Sequence, residues 1–378
     1  MKWSFRIATV AGIPIRVHVT FFLILILGAA QWGGLTGDAS GAIFGVVLMI
    51  LLFACVTLHE LGHSLVALRF DIPVREIILL PLGGIAQLSK NPDKPLHELL
   101  IAAAGPLVNV VIALALLLAF GLAQTPVMLD SRGLLPSANA PSLTTLGLWL
   151  LSANITLVLF NLVPAFPLDG GRVLRALLAF GLGYPRATRL AAGLGQLIAI
   201  GLGVYGVVSS NFVLTLVAVF IFFGAGQETA ATFAKTVLDT LRVGDSYNKY
   251  ALTLAVGDRV SRVVDYILTS YQPDFAVMQG NQPIGIVTRN DVLQALAGAA
   301  GDTFVTEIMQ REFLRVDAAR NLQEVRDSMN EAGTRIAAVF DGARYLGLVS
   351  LEDIAEALTL LTFVQRQKRA APASAPAR

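Results

Sequence analysis

Long apolar runs separated by short polar connections dominate the first 234 residues. A spanning helix needs about 20 mostly apolar residues. Six stretches approach that length: 17–32, 42–68, 99–123, 143–166, 188–208 and 212–233. The first is the shortest. Because apolar character recurs through all the later runs, the N-terminal one reads as an uncleaved helix and not as a removable signal peptide. The segment 74–88, Val-Arg-Glu-Ile-Ile-Leu-Leu-Pro-Leu-Gly-Gly-Ile-Ala-Gln-Leu, is β-branched and turn-bearing and too short to span as a helix, so it predicts a hairpin.

After residue 234 the pattern changes to short strand-turn-strand-helix units, and one such unit repeats at an offset of 62 residues. Phe275-Ala-Val-Met-Gln-Gly-Asn-Gln-Pro-Ile-Gly285-Ile-Val-Thr288-Arg-Asn-Asp291-Val parallels Ala337-Ala-Val-Phe-Asp-Gly-Ala-Arg-Tyr-Leu-Gly347-Leu-Val-Ser350-Leu-Glu-Asp353-Ile. Each copy is preceded by a helical segment, 259–271 and 321–332. Thr288 and Ser350 stand where helix N-caps belong, and capping alone accounts for both hydroxyls. The expected fold class is an α-helical polytopic membrane protein of about six transmembrane helices with a small β-hairpin or sheet, plus a cytosolic α/β pair. Its divisions are a membrane domain over 1–234, a linker over 235–250, repeat copies over 251–298 and 303–362, and a disordered Ala/Pro/Ser/Arg tail over 363–378.

Charge sharpens this division. Residues 1–234 carry 12 Lys/Arg and 9 Asp/Glu, whereas the shorter remainder carries 16 and 17. Over the whole chain 55% of residues are hydrophobic and 14% charged, against about 25% charged in an ordinary soluble domain. A net charge of +2 gives no field that would recruit nucleic acid. The single cysteine, Cys55, excludes an intrachain disulfide framework and any Cys-rich zinc module.

Basic residues cluster on alternate connections: Lys2, Arg6 and Arg16 at the start, Arg69, Arg75, Lys90 and Lys94 after the second span, and Arg172, Arg175, Arg186 and Arg189 after the fourth. The opposite loops 33–41 and 209–211 have none, and 124–142 has only Arg132. The positive-inside rule therefore predicts a multi-pass protein of the cell (inner) membrane with both termini and the charged C-terminal part in the cytoplasm.

Inside the second run lies His59-Glu60-Leu61-Gly62-His63. On a helix the two imidazoles share a face and can grip one zinc ion, while Glu60 lies about 100° around from His59, near enough to act on water there. Ionisable groups at membrane depth each cost at least about 2.5 kcal/mol on insertion scales, so three in five residues call for a function. A catalytic zinc site needs a third protein ligand. Cys55, one turn before His59, reads as a packing residue, and His18 and His97 as interfacial residues. Asp169 is the better candidate: it follows the fourth span in Asn161-Leu-Val-Pro164-Ala-Phe-Pro167-Leu-Asp169-Gly-Gly-Arg172, at the same inner depth as the His pair. Pro164 and Pro167 break that helix, which membrane depth tolerates only where protein or a water-filled cavity satisfies the freed backbone.

His59-Glu60-x-x-His63 in one span, with Asn161 and Pro167-Leu168-Asp169-Gly170-Gly171 at the end of a later one, resembles the site-2 protease family of intramembrane zinc metalloproteases. The resemblance covers roughly residues 1–230. It implies one Zn²⁺ held by His59, His63 and Asp169, Glu60 as general base and acid, and Asn161 positioning substrate or stabilising the tetrahedral intermediate. It also implies that the 74–88 hairpin is a membrane-associated sheet beside the active site. The implied partners are the lipid bilayer and a membrane-spanning protein substrate, a membrane-anchored regulator unwound near the cytoplasmic side before cleavage. Read from the residues alone, Asn161 would make an interhelical hydrogen bond. Ala104-Gly105-Pro106-Leu107-Val108-Asn109 reads as structural, a close helix approach with a kink and one polar contact. Asn154-Ile-Thr lies within a span and is no glycosylation acceptor.

The C-terminal repeats resemble tandem cystathionine-beta-synthase (CBS) domains. That resemblance implies an adenine nucleotide, ATP or AMP, in the cleft between copies, with Thr288 and Ser350 on phosphate, Asp291 and Asp353 on ribose, and a homodimer through these domains. Two rival readings share much of the pattern: a transporter or channel with CBS domains, and a catalytically silent membrane adaptor.

Overall fold

The computed structural model describes residues 3–81, 83–90, 92, 94–123, 140–270, 272–298 and 302–370. Lys2, Arg132 with most of the expected 124–142 loop, and the tail beyond residue 370 lie outside the described residues. The chain forms two compact units, Met1–Thr232 and Phe233–Arg378.

The first unit opens with strands β1 (Ser4–Val10) and β2 (Ile13–His18) and continues through helices α1 (Phe21–Thr36) and α2 (Ala39–Leu68), strands β3 (Val74–Leu80) and β4 (Gly83–Leu88), and helices α3 (Pro95–Leu122), α4 (Leu143–Asn161), α5 (Asp169–Leu182), α6 (Tyr184–Val208) and α7 (Phe212–Asp239). Among the described residues five helices are long and apolar enough to cross a membrane, α2, α3, α4, α6 and α7. The apolar α1 is shorter, at 16 residues. The chain is a membrane protein.

The first span was expected to begin at residue 17, but Val17 and His18 belong to β2. Ile13, Ile15 and Val17 are buried while Pro14, Arg16 and His18 are less so, an alternation of period two that marks a half-buried strand. The expected hairpin is present as β3 and β4, and it is one half of a four-stranded sheet in the order β1-β2-β3-β4, with β2 and β3 parallel. One face of that sheet, through Ile13, Ile15, Val17, Ile77 and Leu79, packs on Leu61 and Phe53 of α2. The sheet therefore lies against the helix that carries the His pair.

The fourth span is also shorter than expected. Helix α4 stops at Asn161, a turn containing Pro164 and Pro167 follows, and α5 starts on Asp169. Proline cannot donate the helical hydrogen bond and disfavours helix in the residue before it, so two in close succession end α4. Gly170 and Gly171 let α5 start hard against that turn. A Cβ on Gly170 would lie 2.3 Å from the Val163 carbonyl oxygen, and one on Gly171 would lie 2.6 Å from the Phe166 nitrogen.

The second unit contains α8 (Val243–Ser246), β5 (Thr253–Ala255), α9 (Val260–Ser270), β6 (Phe275–Gln279), β7 (Gln282–Val287) and α10 (Arg289–Ala297). These are followed by α11 (Val305–Ile308), β8 (Leu314–Asp317), α12 (Leu322–Ala332), β9 (Ile336–Asp341), β10 (Arg344–Ser350) and α13 (Leu351–Ala370). The repeat holds at the level of strand register. Thr253 pairs with Ala276 in parallel and Phe275 with Val287 antiparallel, as Arg315 does with Ala338 and Ala337 with Val349. The expected boundaries differ from the packing in one respect, because each copy is completed by the segment that precedes the other. Val305 and Met309 sit in the core of the first copy, whereas Leu238 and Val243 sit in the core of the second. The expected linker 235–250 thus contains the end of α7 and all of α8, and the expected tail is helical from 363 to Ala370.

Leu322, fully buried at the start of α12, packs among Val316, Val325 and Val339. Leu322→Ala is expected to destabilise the second unit by about 2–5 kcal/mol. Faster amide exchange of β8–β10 in the full-length protein, with α2 and α3 unchanged, is the check.

Candidate metal centre

His59 and His63 lie on the buried side of α2, with side-chain rings nearly perpendicular at 82° and centroids 4.7 Å apart. Their Nε2 atoms are 3.1 Å from each other. The Asp169 Oδ2 atom, from the first residue of α5, lies 3.1 Å from His59 Nε2 and 3.2 Å from His63 Nε2. All three residues are at most 8% exposed. This is the group of His, Cys, Asp or Glu side chains among the described residues able to hold a metal ion.

The hydrogen bonds behind the ligands decide what the three inward-facing atoms are. The His59 Nδ1–H donates to Asn109 Oδ1 at 2.5 Å, and the His63 Nδ1–H donates to the Ile101 carbonyl at 2.6 Å. The Asn109 amide in turn donates to Asn154 Oδ1 at 2.7 Å, and the Asn154 amide to the Leu150 carbonyl at 2.8 Å. Protons held on both Nδ1 atoms leave both Nε2 lone pairs facing inward, together with a carboxylate oxygen. Three such acceptors repel one another unless a cation lies among them. Zinc bonds of 2.0–2.1 Å in a tetrahedron put donor atoms about 3.3 Å apart, so the 3.1–3.2 Å spacing and the two-nitrogen, one-oxygen donor set fit zinc.

Two backbone elements close on the site. A Cβ at Gly105 of α3 would lie 2.2 Å from His63 Nε2 and 2.7 Å from His59 Nε2, so only glycine lets α3 approach the imidazoles this closely. On the other side, Glu60 is half-buried against β4, where its Oε2 accepts the Ala86 N–H at 3.2 Å. Gly84 lets the strand pass, since a Cβ there would lie 2.6 Å from Glu60 Cγ.

The other residues considered from sequence are placed apart from the donor trio. Cys55 is buried a turn earlier on α2. His18 pairs its Nδ1 with the Thr20 hydroxyl at 2.8 Å, and His97 stacks on Phe70 at 4.0 Å between centroids. Asn161 closes α4, half-buried, across the two-proline turn from Asp169. Asn109, expected to be merely structural, orients His59, and Asn154 supports it. A polar side chain in each of two apolar spans was the available signal, but which partner each would find was not.

In the second unit Thr288 and Asp291 form a capping box. The Thr288 amide and hydroxyl both donate to Asp291 Oδ2, at 2.8 and 2.7 Å, and the Asp291 amide donates back. Ser350 and Asp353 repeat the arrangement at 2.8 Å for both bonds. Between the two copies lies a cavity of about 1130 Å³ whose lining includes Asp274, Thr288, Arg289, Gln310, Arg335 and Glu352. Of the four residues expected there, Thr288 lines it; Asp291 stands behind it, holding Gln310 through a 3.0 Å hydrogen bond. Burial pushes the Asp274 carboxyl up from its ordinary range, and the nearby Glu352 and Asp291 carboxylates add to the effect.

Comparison with known proteins agrees with this architecture. Residues 47–202 match Peptidase family M50 and residues 305–360 match the CBS domain family. Zinc metalloprotease MJ0392 of Methanocaldococcus jannaschii is 31% identical over 370 residues, covering 97% of this chain and 100% of that protein. Stage IV sporulation protein FB of Bacillus subtilis is 30% identical over 177 residues, 47% of this chain and 52% of that protein. The solved structure titled Site-2 Protease from Methanocaldococcus jannaschii has 40% sequence identity, covers 60% of this chain and 95% of its own, and superposes with a TM-score of 0.42. The chain belongs to peptidase family M50, the site-2 protease family of zinc metalloproteases, and carries a CBS domain over residues 305–360.

Proposed function

We propose that this protein is an intramembrane zinc endopeptidase that cuts membrane-anchored proteins within or near a transmembrane segment. His59, His63 and Asp169 hold the metal, and Glu60 transfers the proton. The observation that carries the reading is the convergence of the three donor atoms within 3.2 Å of one another beside the Glu60 carboxylate. When bound, zinc supplies Lewis acidity, lowering the pKa of water to about 7 and polarising the scissile carbonyl. Glu60 accepts the proton of the attacking water and delivers it to the leaving amine nitrogen. Its hydrogen bond from Ala86 keeps it turned toward β4. That strand is an edge of the sheet, so an unwound substrate segment can add to it and present its backbone to Glu60. Asn161, at the end of α4, serves the substrate or the tetrahedral intermediate. The clustering of basic residues on alternate connections supports a topology with both termini, the metal-proximal helix ends and the CBS pair on the cytoplasmic side.

The CBS pair supports a regulatory reading. A ligand that binds one arrangement of the pair more tightly shifts the population of that arrangement, and only through that difference in affinity. The cavity between the copies is lined by Arg289 and by Arg335, the latter paired with Glu352, and a phosphate of ATP or AMP can engage both guanidinium groups.

Purified full-length protein is expected to contain one zinc per chain. Glu60→Gln should retain that zinc while peptide cleavage falls by about 10²–10⁴-fold. Unchanged cleavage in Glu60→Gln, or no bound zinc, would overturn the assignment. Asn109→Leu removes the acceptor for the His59 Nδ1–H and is expected to weaken zinc binding by about 10–100-fold, read by chelator competition. AMP or ATP should bind the full-length protein, bind more weakly to Asp291→Asn, and change the cleavage rate. A flat titration with both nucleotides would remove the regulatory reading.

A further inference from the structure

Asp169 is the first residue of α5, so the placement of α5 sets the position of its carboxylate. The buried side chains of that helix are Asp169, Gly170, Gly171, Arg175, Ala176 and Ala179. Arg175 is the one long side chain among them. Most of them are small, so apart from Leu174, which packs half-buried on Phe166, Ala191 and Ala192, the guanidinium is the side chain that gives α5 directional contacts.

The contacts of that guanidinium are specific. Its Nε and Nη2 both donate to Glu98 Oε1 of α3, at 2.7 and 2.5 Å, and Nη1 donates to Glu228 of α7. The Phe166 ring lies beneath it, 4.9 Å from Cζ to the centroid. Phe166 is itself 1% exposed and sits in the two-proline turn that ends at Asp169. Three helices and the turn therefore meet on one planar cation. Glu98 is 1% exposed and lies on the α3 stripe that also holds Ile101, Gly105 and Asn109, spaced at helical intervals. The same helix face thus orients both imidazoles and, through Arg175, the element that bears the carboxylate.

We propose that Arg175 is a positioning residue for the metal centre, registering α5 against α3 and α7 so that Asp169 meets the His pair. The proposal rests on the reading of His59, His63 and Asp169 as zinc ligands. A buried ion pair is often no more stabilising than apolar residues of similar volume, and its best-attested use is to fix register. Ligand geometry must be held to within about 0.5 Å, and the guanidinium supplies the directional contacts for that. Lysine cannot replace the fork, because a point charge does not bridge two carboxylates and stack on a ring in one fixed plane.

The test uses full-length protein in detergent micelles, with zinc affinity by chelator competition, thermal unfolding, and kcat and KM for a peptide substrate. Arg175→Lys is expected to unfold near the wild-type temperature yet bind zinc about tenfold more weakly, with the loss of cleavage in kcat and KM within about twofold. A triple variant, Glu98→Leu, Arg175→Met and Glu228→Leu, fills the same space without charge; it should unfold no earlier than wild type and show the same loss of zinc affinity. If it binds zinc as the wild type does, or, where it fails to fold, if Arg175→Lys does, the cluster is a structural tie only. Asp169→Asn separates the two levels. Wild-type zinc affinity in that variant would defeat the ligand assignment itself, whereas weak binding there with full affinity in the Arg175 variants would defeat only the positioning role.

Discussion

Two imidazole nitrogens and a carboxylate oxygen held 3.1–3.2 Å apart, all with lone pairs facing inward, form an arrangement that relaxes apart unless rigid elements oppose it. Helix α3 supplies that opposition from one face. Asn109 and the Ile101 carbonyl fix the two ring tautomers, Gly105 allows the backbone to close on the imidazoles, and Glu98 reaches the arginine of α5. The candidate metal centre thus draws its three donor atoms from α2 and α5 and is braced by a helix that supplies none of them.

The same arrangement explains how so much polarity persists among apolar spans. A charged group at membrane depth costs at least about 2.5 kcal/mol on insertion scales and is expected to be paired. Here the side chains of the centre are paired, with one Glu98 oxygen, Oε2, buried without a hydrogen-bond partner among the described residues. The chain of donors from His59 through Asn109 and Asn154 ends on a helix carbonyl at Leu150, which has a spare lone pair. The Arg175 guanidinium shares its donors between two carboxylates. Glu60, whose carboxylate lies near the strand edge, accepts the Ala86 backbone amide.

The second unit follows a different logic. Its two copies are too small to close their own cores, and each borrows the short helix that precedes the other: α11 for the first copy and α8, with the end of α7, for the second. A third cluster, with Ala276 and Ile286 from one copy and Ala338, Phe340 and Leu348 from the other, joins the sheets. The pair is therefore one folding unit. The Thr288–Asp291 and Ser350–Asp353 pairs cap helices α10 and α13, and of the four residues Thr288 alone lines the cavity between the copies, so the motif serves helix stability first.

Features written in consecutive residues are legible in the sequence. The His59-Glu60-x-x-His63 pair, the proline-broken approach to Asp169, the 74–88 hairpin and the 62-residue repeat all depend on helical spacing, turn chemistry or self-similarity within one segment. The exchange of β2 for the start of the first span, and of a turn for the end of the fourth, was hidden because short apolar strands and apolar turn residues look like parts of a longer apolar run. Partnerships were hidden more deeply. Nothing near Asn109 says that it faces His59, and nothing near Arg175 names Glu98 or Glu228, since each pair joins distant segments whose meeting depends on how the helices pack. The sequence by itself determined which groups could bind a metal and move a proton; only the tertiary structure decided which neighbours aim them, because ligand chemistry belongs to single residues and ligand geometry belongs to the helices around them.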